Sequence, residues 1–265
     1  MLLTAAVLAA ATVANPCADA GRTVACPDLV MRRPYDMRIV RTPNRQLLAA
    51  ANAIVNVGEG PLEIRARRDS GDGYDMVARQ VLRPRVRGAA PVILPASGRV
   101  ELYDTRTRGR YWKYENAASF TLRPIGDDGE VGPIRRTGPK VDYCFRDLSR
   151  VRPLDDRGSY PRSPRARQYG ACSTRTSAKL LTLGTSVGWA DIYPWSYPQN
   201  SIDVTGLRGC FIYTQKADPR NELRELREDN NAGSVIVRLP WRGAGARGCA
   251  PPLASGGVEA GLGTS

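Results

Sequence analysis

The chain has 265 residues, 42% of them hydrophobic, enough to bury a substantial core in one large domain or two small ones. It carries a net charge of +13 and no histidine, which excludes Ser-His-Asp and Cys-His hydrolysis, histidine-bound metals and histidine proton shuttles. With 26 glycines and 20 prolines, and Val, Ile and Thr recurring in short runs, the composition favours many short strands joined by turns.

Residues 1–14 (MLLTAAVLAAATVA) form an uncharged apolar run, too short to span a bilayer and followed by Asn15 and Pro16. This fits a secretory signal within a leader of residues 1–20, although the usual basic start is missing and a buried helix is the other reading. Pro27, Asp28, Leu29 and Val30 then suggest a first strand. Residues 47–57 (LLAAANAIVNV) give an apolar run that ends in the turn Gly58, Glu59, Gly60, Pro61, after which Leu62, Glu63 and Ile64 resume a strand. Further strands are expected over residues 76–82, 99–103, 119–124, 141–145, 201–205, 210–217 and 233–239. Residues 147–169 are dense in Arg, Pro and Asp without apolar period, which predicts a surface loop. Residues 242–265, rich in Gly and Ala, read as a loose tail. One β-sandwich-like domain over residues 27–241 is the economical all-β arrangement, because half-buried strands need a second layer over their apolar face.

The six cysteines, Cys17, Cys26, Cys144, Cys172, Cys210 and Cys249, have no metal-type CxxC spacing. In an exported chain an even set implies three disulfides. Sequence allows fifteen pairings; pairing neighbours gives Cys17 with Cys26, Cys144 with Cys172 and Cys210 with Cys249. Cleavage of the leader near Ala14 keeps the set even, whereas cleavage after Ala20 leaves one cysteine over. The positive charge is mostly arginine, since lysine occurs only at Lys113, Lys140, Lys179 and Lys216. Such a surface attracts anionic polymers by a long-range, salt-dependent force, or simply aids solubility. Aromatics are only 7% and no RNA-binding or zinc-finger signature accompanies the charge, so nucleic acid is not the expected partner. With the leader removed, the mature chain has no transmembrane anchor.

The most specific pattern lies between residues 186 and 239: SVGWADIY, then IDVTGLRGCFIY, then ADPRNELRELREDNNAGSVIVRL. Here the chain resembles the lysyl oxidase family, copper amine oxidases with a lysine tyrosylquinone cofactor, and its bacterial members in particular. Two upstream blocks match in order: Asn56, Val57, Gly58, Glu59, Gly60, Pro61, Leu62, and Lys140, Val141, Asp142, Tyr143, Cys144. The resemblance covers roughly residues 27–240. It implies oxidation of a lysine ε-amine to an aldehyde, by copper on three histidines of an HxHxH strand and a quinone built from one lysine and one tyrosine. The resemblance puts those two precursors at Lys140 and Tyr193.

The copper strand corresponds to GRYWKYENAASFTL, residues 109–122, which places Gly109, Tyr111 and Lys113 where the histidines belong. Glycine has no side-chain donor, an ammonium repels Cu²⁺ and a neutral phenol is a poor ligand, so the three-nitrogen site does not form. The copper-dependent route to the quinone is then closed, leaving Lys140 a solvated or paired lysine and Tyr193 a packed aromatic. If Lys113 and Lys140 met in the old pocket, each would depress the other's pKa and free one amine for Schiff-base chemistry; mutually repelling lysines more often turn to water. Asp229, Asn230 and Asn231, with Glu225 and Glu228 nearby, have the oxygen chemistry of a calcium loop but not its spacing, and also suit an ordinary turn. Trp189, Trp195 and Tyr197 around two prolines form either a sugar- or peptide-stacking surface or a packed loop.

These readings converge on a secreted, extracellular lysyl-oxidase-like protein, a pseudoenzyme without copper or quinone, that binds an anionic polymer or acidic protein through its basic surface. The alternatives are an active copper amine oxidase with a substitute metal site of carboxylates, Tyr111 or thiolate, and a disulfide-stapled scaffold module.

Overall fold

The computed structural model describes residues 15–18, 21–68, 75–104, 109–151, 160, 163–241 and 247–253. Most of the expected leader and of the expected tail lies outside these residues. Sixteen strands follow one another: β1 (Val24–Ala25), β2 (Leu29–Met31), β3 (Tyr35–Thr42), β4 (Arg45–Asn56), β5 (Leu62–Arg67), β6 (Asp75–Pro84), β7 (Val92–Asp104), β8 (Arg110–Ile125), β9 (Arg136–Thr137), β10 (Val141–Tyr143), β11 (Ser149–Arg150), β12 (Leu180–Thr185), β13 (Trp189–Tyr193), β14 (Ser201–Asp203), β15 (Gly209–Ala217) and β16 (Ala232–Leu239). Among the described residues no helix is long and apolar enough to cross a membrane.

The strands form two antiparallel sheets. The larger runs β12-β5-β6-β7-β8-β15-β16, with β1 added to β6 and β9 and β10 added to β8; the smaller is organised around β4, which pairs with β2, β3, β13 and β14. Leu48 through Asn56 of β4 are all buried, a run of small alanines and branched aliphatics, with two asparagines, that suits a strand covered on both faces. Leu48 and Ile54 of the small sheet share one core with Ile64, Trp112, Phe120, Tyr213 and Val237 of the large one. This is the expected all-β, sandwich-like domain.

The turn read at residues 58–61 is where the chain leaves one sheet for the other. A Cβ on Gly60 would lie 2.2 Å from the Ala25 carbonyl oxygen, so only glycine lets the turn pack against β1. The expected strand over residues 119–124 is the second half of a single 16-residue strand, β8, whose first half begins RYWKYENA. Strands β3 and β12 have no counterpart in the sequence reading. Charged, partly exposed residues along β3 and the run LLTLGT of β12, exposed at Leu180 and buried from Leu183 onward, both lack the alternation that marks a half-buried strand.

All three disulfides join sequence neighbours, Cys17 to Cys26, Cys144 to Cys172 and Cys210 to Cys249. The loop after β10 is held by more than its cysteines: buried Asp147 accepts from the Ser186 N–H at 2.7 Å, the Ser186 hydroxyl at 2.8 Å and the Gln168 N–H at 2.8 Å. Because the middle bridge restricts the unfolded chain across 28 positions, the double variant Cys144→Ser, Cys172→Ser is expected to lose about 3 kcal/mol. Urea unfolding checks this, and a loss below about 1 kcal/mol would mean that Asp147 alone fixes the loop.

Candidate functional site

Strand β8 carries Tyr111 and Lys113, while Gly109 is exposed one residue before the strand starts. The strand pairs with β7 so that Tyr111 stands opposite Tyr103 and Lys113 opposite Glu101. Alternation along the strand then turns Trp112 and Tyr114 to one side and Tyr111 and Lys113 to the other. On the first side, the Trp112 indole donates to the Arg175 carbonyl at 2.8 Å. On the second lie β13 and the turn that follows it, which bring Tyr193, Tyr197 and Gln199.

The result is a closed cage around the Lys113 amine. Nζ sits 4.5 Å from the ring centres of Tyr103 and Tyr197, 5.1 Å from that of Tyr193 and 5.5 Å from that of Tyr111, within the range where an aromatic face attracts a cation. It donates to Gln199 Oε1 at 3.1 Å. Lys113 is fully buried, and burial pushes its amine down to about 7, against the opposing pull of Asp142 and Asp191. Asp191 is likewise enclosed. Burial raises its carboxyl to about 7, although Arg146 stands 3.8 Å away and Lys113 also favours the charged form.

The cage is braced from outside. Tyr111 and Tyr197 share a hydroxyl hydrogen bond of 2.6 Å, Tyr193 and Tyr197 meet edge to face at 4.6 Å, and Tyr143 packs on Tyr193 at 4.4 Å. The Tyr193 hydroxyl accepts from the Cys144 N–H at 3.2 Å, and burial holds its phenol well above the ordinary range. Lys140 is exposed, and its part here is through the main chain: Gln199 Nε2 donates to the Lys140 carbonyl at 3.0 Å. Gln199 therefore links both lysine positions, with its oxygen on one ammonium and its nitrogen on the other residue's backbone.

This arrangement does not fit copper. Gly109 offers no side-chain donor, the Tyr111 hydroxyl is bonded to Tyr197, and the Lys113 amine fills the space between the rings. Nor does Lys140 depress the Lys113 amine, as a shared pocket would require: the cause is desolvation. The remaining sequence candidates separate. Trp189 is buried and donates to the Pro164 carbonyl, Tyr197 belongs to the cage, and Trp195 carries the Arg38 guanidinium 4.6 Å above its ring. No common stacking surface joins the three. Asp229 is exposed and paired with Arg227, Asn230 donates to Asp28, and Asn231 donates to Glu225. Oxygens of Asp218, Glu225 and Glu228 lie within 4.8 Å of one another, but both Asp218 oxygens accept backbone N–H groups, of Glu222 and Leu223, and Glu225 accepts from Leu29 and Asn231. They fasten the segment between β15 and β16.

Gln199, Tyr103 and Asp191 complete the cage without having been singled out in the sequence. Asp191 stands in the ADIY motif two residues before Tyr193, a usable signal; Gln199 carries none. No protein-family model matches the chain, and no curated protein sequence is significantly similar to it.

Proposed function

We propose that this chain is a secreted lysyl-oxidase-like protein without copper or quinone, and that it acts by binding an anionic extracellular partner rather than by oxidising amines. The observation that carries the reading is the Lys113 cage: at the segment resembling the copper strand, an internal ammonium, four tyrosine rings and Gln199 close the space that a metal and an amine substrate would share. The three disulfides suit an oxidising compartment. Among the described residues no arginine is buried, so the excess positive charge stands at the surface, where it acts on large anions.

The test combines two measurements. Purified protein incubated with Cu²⁺ is expected to retain no stoichiometric copper, to show an intact mass lacking a Lys140–Tyr193 cross-link, and to release no peroxide from cadaverine. Retention on an anionic polysaccharide resin is expected at low salt and lost by about 0.5 M. Copper together with a cross-linked mass would overturn the reading in favour of a working oxidase. Failure to bind the resin would remove the anionic partner.

A further inference from the structure

A second feature lies away from the cage. Between β2, the start of β3, the turn after β4 and the start of β16 runs a groove of about 710 Å³, a volume typical of small-molecule sites. Val30, Val57 and Ala232 give it an apolar floor, and Arg32, Arg33 and Arg227 stand around it. The Arg32 Nε–H and the Asn230 carbonyl oxygen are buried without a hydrogen-bond partner. The acid in the wall, Asp28, is committed to Asn230 Nδ2 at 2.8 Å, and burial raises its carboxyl. Arg227 pairs with Asp229 at the exposed edge. The groove thus joins an apolar surface to an excess of guanidinium charge, with one buried donor unmatched.

We propose that this groove binds an apolar carboxylate, a single acyl chain lying on the Val30, Val57 and Ala232 floor with its head group on Arg32. A guanidinium pairs with a planar carboxylate through two parallel N–H donors, and an unmatched buried N–H gains most from an anionic acceptor. Removal of the chain from water supplies the remaining affinity. The site is separate from the cage, and its occupancy does not depend on whether the chain descends from an amine oxidase.

Isothermal titration with decanoate, kept below micelle formation, tests this. The expected result is saturable binding of one decanoate per chain, with decanol and decyltrimethylammonium each weaker by about tenfold or more. Arg32→Gln is expected to weaken decanoate about tenfold while leaving decanol unchanged. Ala232→Trp, which fills the floor, is expected to abolish binding of both with the far-ultraviolet dichroism intact. Decanol binding as tightly as decanoate, or decanoate uptake that does not saturate and is equal in Arg32→Gln, would overturn the proposal; the second outcome would mark general attraction to a basic surface.

Discussion

Lys113→Met is expected to stabilise the protein by about 2 kcal/mol near pH 6, a gain that vanishes as the pH rises. The lysine amine is held at about 7 in the folded chain against an ordinary 10.5. Between those values the unfolded chain binds a proton that the folded chain does not, so stability rises with pH across that window, and below it the full penalty, about 5 kcal/mol, is imposed. Methionine escapes this penalty but leaves Gln199 Oε1 buried without its donor, which offsets part of the gain and brings it to about 2 kcal/mol.

Asp191 titrates in the opposite sense. Its carboxyl is raised to about 7 from 3.8, so the folded chain holds the extra proton, and the contribution to stability is present below 3.8 and lost as the pH climbs to 7. The two groups together give the parent protein a local stability minimum near neutrality. At pH 6 Asp191 can take a proton, which is why removing its ammonium neighbour leaves no uncompensated charge there. Above about pH 8 Asp191 is ionised, but the parent's amine is then neutral as well, so the substitution takes no countercharge away and the two proteins converge in stability. Melting temperatures of both proteins between pH 5 and 10 decide the matter. If Lys113→Met is the less stable at pH 6, the aromatic cage and hydrogen bond outweigh desolvation, and the ammonium is a net structural cation.

Sequence reading reached the parts of this molecule governed by local pattern. The apolar run of β4, the glycine turn at its end and the neighbour pairing of the cysteines follow from alternation, from turn chemistry and from chain proximity. It also placed Tyr111 and Lys113 on one strand, whereas Gly109, expected on the same strand, lies just before it. What it did not show is where Lys113 points and what surrounds it. Tyr103, Tyr193, Tyr197 and Gln199 come from β7, β13 and the turn after β13, up to 96 residues apart in the chain, and their convergence depends on how the two sheets stack. A lysine expected to turn to water is instead the most enclosed cation in the cage, because the rings offer it a partial replacement for solvent. Lys140, expected to be a solvated or paired lysine, is exposed, and its carbonyl accepts from Gln199.

Asn56→Ala is expected to cost about 4 kcal/mol, a large fraction of the stability of an ordinary domain. Asn56 is the last residue of β4 and is fully buried. Its oxygen accepts from the Asp28 N–H at 3.2 Å and the Gly58 N–H at 3.0 Å; its amide donates to the Gly60 carbonyl at 3.0 Å and the Thr185 carbonyl at 2.8 Å. One side chain thereby fixes the start of β2, both ends of the glycine turn and the end of β12, and so ties the small sheet to the large one. Truncation orphans four backbone groups, each worth about 1 kcal/mol or more when left buried and unpaired. Asn56→Asp separates the accepting from the donating half. It keeps the two accepted bonds but turns a carboxylate oxygen toward two carbonyls, so its loss should be larger near pH 7 than near pH 4, where a protonated acid can donate once. Urea midpoints of the two variants at both pH values test this. Equal losses for Asn56→Asp at pH 4 and 7, or a loss below about 1 kcal/mol for Asn56→Ala, would mean that the glycine turn holds its shape without the amide, and that the sheets are joined by their apolar contact alone.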